Sequence, residues 1–134
     1  MNFNNKSIIL DKTLLKEDLW IIKVFTRDHG IYSGVLKKSK KKQQPIPQKS
    51  DLIDFFWQAR LIEHVGYCKI ELIQSIFSSV MLEKKKIYSI NAILDIINLS
   101  FQERDPHPIL FDYLNNYLIN LCKFPFSFTN HIFL

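Results

Sequence analysis

Five lysines fall within six positions, Lys37, Lys38, Lys40, Lys41 and Lys42. Ammonium groups crowded this way can follow a phosphate backbone, release its counterions and impose no sequence preference. The surrounding segment 37–49 holds six lysines, Pro45, Pro47 and one large apolar residue, Ile46. Such a stretch cannot bury enough surface to fold alone, so a mobile, solvated loop is expected. By itself a run of this kind is as often a solubilising surface as a binding site. Single-stranded nucleic acid also needs rings on which bases stack, and Tyr32, Phe56 and Tyr67 are the candidates. Arg27 and Arg60 are placed either to contact phosphate or to pair with Asp28 and Glu63.

Other chemistries find little support. Nuclease chemistry needs several carboxylates converging on a metal, and Asp51 and Asp54, three apart on a strand, face opposite sides. No nucleophile elbow, phosphate-binding glycine loop or HExxH pattern occurs, and the chain has only three glycines. Two cysteines, Cys68 and Cys122, build neither a disulfide framework nor a four-cysteine zinc site. His29, His64, His107 and His131 lack ligand spacing. The residues therefore indicate a protein that is not an enzyme, with no metal and no cofactor.

The elements that must position these residues can be read from periodicity. The 134 residues, 47% hydrophobic and 23% charged, are enough for one small domain and part of a second. Residues 6–11 and 19–26 read as strands. Asp28-His29-Gly30 supplies a turn, because glycine accepts the positive φ of a tight hairpin, and 31–36 is the partner strand with Gly34 at a bend or bulge. Segment 52–61 alternates most clearly, with Ile53, Phe55, Trp57, Ala59 and Leu61 on one face and Phe56 on the otherwise polar one. That ring is expected to cover the barrel against the helices rather than to stack on bases. Gly66 marks the next turn, and Cys68, Ile70 and Leu72 point inward from 67–73. Five short strands in so few residues indicate a small barrel over residues 1–74, its core including Ile8, Leu10, Phe55, Trp57, Ile70 and Leu72.

The period then becomes helical. A weak segment, 75–82, leads into helices at about 87–101 and 108–121, separated by Asp105-Pro106-His107-Pro108. The fold class is thus α+β, a barrel followed by a partial all-α domain over 75–121, with a divergent tail at 122–134. Both Tyr113/Tyr117 and Leu114/Leu118/Leu121 demand cover, so exposed apolar surface and self-association are expected. The longest uncharged runs, 72–82 and 124–134, are short of a membrane span. No signal or transit peptide opens the chain, and the default compartment is the cytoplasm. Residues 1–50 carry eleven bases against four acids, net +7, while 51–134 are net −2. A basic first half favours a polyanionic partner.

Phe25-Thr26-Arg27-Asp28-His29-Gly30 with Tyr32-Ser33-Gly34 resembles the second-to-third strand hairpin of the RecO family of recombination-repair proteins. Trp57-Gln58-Ala59-Arg60-Leu61, with Glu63, Gly66 and Glu71, resembles the family's fourth and fifth strands. Glu103-Arg104-Asp105-Pro106-His107-Pro108 resembles a signature of its helical domain. The resemblance implies an N-terminal OB fold, binding of single- and double-stranded DNA, strand annealing, and partnership with RecR and the single-stranded-DNA-binding protein SSB. Two departures stand out. The family's usual Pro-Gly turn before the fourth strand reads Pro47-Gln48-Lys49-Ser50-Asp51 here, which implies a looser turn. After Leu121 the resemblance ends, although family members continue through further helices, so a truncated member is expected. The tail Cys122-Lys123-Phe124-Pro125-Phe126-Ser127-Phe128 has the pattern a frameshift would leave.

Three functional readings remain open at this point: a RecO-like DNA-binding and annealing mediator, a protein-interaction module built on the barrel, and a remnant that does not fold stably. An OB barrel binds strands across a face flanked by loops, which favours the first.

Overall fold

The computed structural model describes residues 1–38, 46–61 and 65–124. Five strands, β1 (Asn2–Lys16), β2 (Leu19–Thr26), β3 (Gly30–Lys37), β4 (Leu52–Gln58) and β5 (Tyr67–Gln74), precede three helices, α1 (Ile76–Val80), α2 (Lys84–Ser100) and α3 (Pro108–Lys123). The strands close into a barrel in the order β1-β2-β3-β5-β4. Neighbours run antiparallel except β3 and β5, which meet in parallel at one pair, Val35 and Tyr67. This is the OB arrangement, and the α+β class read from periodicity holds.

Alternation explains the interior. Ile9, Ile22, Val24, Ile53, Phe55 and Trp57 converge on one buried cluster, as a period of two requires of strands with one face inward. Ile8, Leu10, Phe25, Ile31 and Leu52 form a second cluster with Ile76, Leu94, Phe111, Leu114 and Leu118 of the helices. The helical segment therefore seats on one outer wall of the barrel. Ser75 caps α1 by accepting from the Ser78 N–H at 3.2 Å, and Pro108 opens α3, where its missing N–H costs nothing.

Several expectations need correction. β1 extends at both ends beyond 6–11, because two register shifts, between Ile9 and Asp11 and between Leu14 and Lys16, hide its period. Leu61 lies exposed past the end of β4 rather than on its inward face. Leu72 is 49% exposed. It lies opposite buried Ile53, but β5 touches β3 only near Tyr67, so among the described residues no strand covers its far half. Ile70 is half-buried for the same reason. Gly34 marks no bulge, since the β2–β3 register runs through it unbroken. A Cβ there would lie 2.7 Å from that of Cys68, and its absence lets β3 approach β5.

The turn before β4 is tight rather than loose. Ser50 takes a positive φ of 83°, and the Asp51 carboxylate accepts from the Gln48 N–H at 2.8 Å and the Phe77 N–H at 3.0 Å. α2 begins at Lys84, earlier than periodicity suggests, because Lys86 is buried: its ammonium donates to the Leu121 carbonyl at the end of α3 and pairs with Glu83. Of the apolar residues on α3, Phe111, Leu114, Tyr117, Leu118 and Leu121 are covered and Ile109 and Tyr113 are not.

Candidate nucleic-acid interface

β4 and β5 turn alternate residues outward, and their register brings these into pairs: Phe56 opposite Lys69, and Gln58 opposite Tyr67. Cross-strand partners on one face stand about 5 Å apart at Cβ. Where β5 crosses to β3, these side chains meet Val35, Leu36 and Lys37 around a groove of about 220 Å³. Tyr67 is 71% exposed and Phe56 38%. Two rings available to solvent, flanked by Lys37 and Lys69, make a surface where a base can stack while its phosphate meets an ammonium. Further along the same face Asp54 lies opposite Glu71, so the favourable field is confined to the groove end. Cys68 forms the floor, where burial pushes its thiol up to about 12; it stays protonated and unreactive at neutral pH.

Phe56 therefore does not cover the barrel against the helices, which seat on the wall carrying Phe25 and Ile31. Tyr32 is not available for stacking. It is buried in the barrel mouth, edge-on to Trp57 at 5.0 Å and to Phe3 at 4.9 Å, with the Arg104 guanidinium 4.7 Å above its ring. Arg104 reaches there from the segment between α2 and α3, where its N–H donates to the Ile31 carbonyl at 2.9 Å and Glu103 bridges Ile31.

Among the lysines, Lys37 is exposed at the end of β3 and borders the groove, and Lys38 follows it, its N–H donating to the Asp18 carbonyl at 2.9 Å. Lys40, Lys41 and Lys42 lie outside the described residues. Arg60 is exposed just past β4. Arg27 pairs with Asp28 at 2.8 Å, the partner its neighbour in sequence offers, and also grips both carboxylate oxygens of Asp112 on α3, at 3.0 and 3.1 Å. That contact raises the guanidinium pKa and lowers that of the Asp112 carboxyl. Sequence reasoning missed Lys69, whose only signal is its place opposite Phe56 once β4 and β5 are in register. Among the described residues no group of His, Cys, Asp and Glu is arranged to hold a metal, and no helix is long and apolar enough to cross a membrane.

A closed five-stranded barrel whose fifth strand pairs with both the third and the fourth, followed by helices on its outer wall, defines an OB-fold protein. Residues 1–76 match the family model described as "Recombination protein O N terminal". The chain is 46% identical over 132 residues to the DNA repair protein RecO of Rickettsia typhi, covering 98% of this chain and 56% of that relative. It is 45% identical to the RecO of Rickettsia felis and 44% to that of Rickettsia bellii, over 55% and 54% of those proteins. The chain belongs to the RecO family, and it spans about half the length of these curated relatives.

Proposed function

We propose that this chain is a non-catalytic DNA-binding protein of recombinational repair, holding DNA without sequence preference across the groove formed by Lys37, Phe56, Tyr67 and Lys69. The observation that carries the reading is the gathering of two exposed rings and two lysines around one groove on the outside of an OB barrel. Lys38 follows Lys37, the sequence neighbours Lys40, Lys41 and Lys42 add positive charge for phosphate, and Arg60 supplies a further phosphate contact. Arg27 is engaged with Asp28 and Asp112 and contributes less. The relatives' description as DNA repair proteins supports the same role. Strand annealing, and recombinase loading with RecR on SSB-coated DNA, belong to this proposal through the family.

The test is a salt titration on two unrelated single-stranded oligonucleotides. Neutralising about five phosphates gives log affinity a slope of about −3 to −4 against log salt. Replacing Lys37, Lys38, Lys40, Lys41 and Lys42 with Ser flattens that slope and weakens both sequences alike, with the melting transition nearly unchanged. Phe56→Ala with Tyr67→Ala loses about 1–3 kcal/mol for each base stacked, without altering the slope. Equal slope and affinity for the wild type and the five-Ser variant would leave the lysines a solvated surface, and a protein-interaction module would become the better reading.

A further inference from the structure

β1 is longer than the barrel needs. Residues 2–8 pair with β4 on one side, while the pairing with β2 continues to Lys16 on the other. Ile9 still meets the turn before β4, exchanging backbone hydrogen bonds with Ser50 and Asp51. From residue 11 to 16, no described residue pairs with the side of β1 turned away from β2. The Lys12 N–H points to that side, where its neighbour's own carboxylate, Asp11 Oδ1, accepts it at 2.8 Å. Alternation puts the Leu14 N–H on the same side. Such an edge is a template for an added strand.

The side chains along it are specific in kind. Leu14 and Leu15, at the second register shift, are each about half exposed. Lys12 lies over the Trp20 ring at 5.3 Å. Its ammonium pKa is lowered, first by partial burial and further by the nearby Lys38, which outweigh the opposing pull of Asp51. Lys16 is exposed at the strand end. Glu17 and Asp18 occupy the turn beyond and have partners of their own. The other open edge, the far half of β5, carries Glu71 as its charged residue, opposite Asp54, and does not attract an acidic strand.

We propose that the outer edge of β1, residues 11–16, receives an extended acidic segment of a partner protein as an added strand. The Lys12 and Leu14 N–H groups donate to the peptide backbone, Lys12 and Lys16 face its carboxylates, and Leu14 and Leu15 meet its apolar side chains. A second copy is a poorer occupant. Lysines and bulges are the devices by which strand edges resist their own kind, and self-pairing would bring two +7 halves together. The same lysines attract an acidic strand. The Asp11 carboxylate acts as a guard that such a strand displaces. This site is separate from the groove and does not depend on the DNA-binding reading.

The experiment uses the whole chain and three fluorescein-labelled decapeptides. One alternates glutamate and valine, one alternates lysine and valine, and one has the acidic composition in two blocks. Anisotropy gives affinity, and amide exchange by NMR gives location. The alternating acidic peptide is expected to bind best and to slow exchange at the Lys12 and Leu14 N–H groups. Lys16→Glu alone weakens it by about threefold, and Lys12→Glu with Lys16→Glu by about tenfold or more, as charge pairs turn repulsive. Asp11→Ala strengthens it by a few-fold. Failure to bind, equal binding of the block peptide, or protection that falls elsewhere would overturn the proposal. So would slow exchange of these two amides in the free protein, which would mean that a second copy (if it varied with concentration) or residues 39–45 (if it did not) already hold the edge.

Discussion

Trp57 has no exposed surface, and its indole N–H is shared between the Ser33 carbonyl at 3.1 Å and the Val65 carbonyl at 2.8 Å. Removing it leaves a cavity bordered by Phe3 and Tyr32 and two carbonyls without a donor. Trp57→Ala is therefore expected to cost about 3–5 kcal/mol, and a denaturant melt measures it; a loss under about 1 kcal/mol is the level of a surface change. Trp57 was legible because alternation in β4 is nearly perfect. Arg104 was not. Its sequence shows a charged residue ahead of Pro106 and Pro108, in a stretch that resembles a family signature, and nothing local says that its guanidinium lies over two rings of the barrel mouth, 4.7 Å from Tyr32 and 5.4 Å from Trp57. Asp112 belongs to the same scale. The hydrogen bond and charge of Arg27 hold its carboxyl below the usual range. A depressed folded pKa gives stability that is present above the unfolded value of about 3.9 and is lost as pH falls through the folded one. The Arg27–Asp112 clasp thus stays closed through mildly acidic pH. Side-chain NMR should place the Asp112 midpoint below that of a free aspartate, and Arg27→Gln should return it.

Elements, more than residues, were readable from the sequence. The hairpin at Asp28-His29-Gly30 follows from one glycine, which takes a φ of +80°. The helices follow from apolar spacing, with ends misplaced where a lysine is buried at Lys86. The full length of β1 is not legible because bulges break its period, and alternation points Leu72 inward without saying whether a neighbouring strand is present to cover it. The groove was half legible: Phe56 stood out on a polar face, yet its pairing with Lys69 exists only in the register. Gly30 joins two elements. A Cβ there would lie 2.5 Å from the Asp105 carbonyl oxygen and 2.6 Å from its N and C atoms, so the hairpin can touch the α2–α3 segment only because no side chain intervenes. Gly30→Ala meets both backbone strain and that close approach, and should lose more than about 1 kcal/mol. The denaturant midpoint should fall with little change in slope.

The whole molecule buries one side of its helical segment and leaves the other open. Leu82 is 89% exposed and Leu99 85%, and Tyr88, Ile96, Ile109 and Tyr113 are also open to solvent. Exposed apolar side chains of this size bind dyes and drive association. The protein is expected to bind a hydrophobic dye in its native state and to self-associate at high concentration, by fluorescence and sedimentation respectively. Leu99→Lys with Ile109→Lys should reduce both without lowering the melting midpoint, since neither side chain contributes to the core. A monodisperse protein that ignores the dye would show that this surface is covered.

The seat of residues 103–105 on Ile31 and over Tyr32 also governs the order in which the chain can reach its final form. The last strand of the barrel ends at Gln74, but the barrel mouth is closed by Arg104, thirty residues later. At a translation rate of about 5–20 residues per second, the ribosome needs roughly two to six seconds to supply that stretch. Until that segment arrives, the Phe3–Tyr32–Trp57 mouth lacks the guanidinium that lies over it in the finished fold. Contacts this distant in sequence are slow to form and late to contribute, so the barrel gains its final rigidity only when the segment between α2 and α3 docks. Barrel and helices should then unfold together, in a single transition.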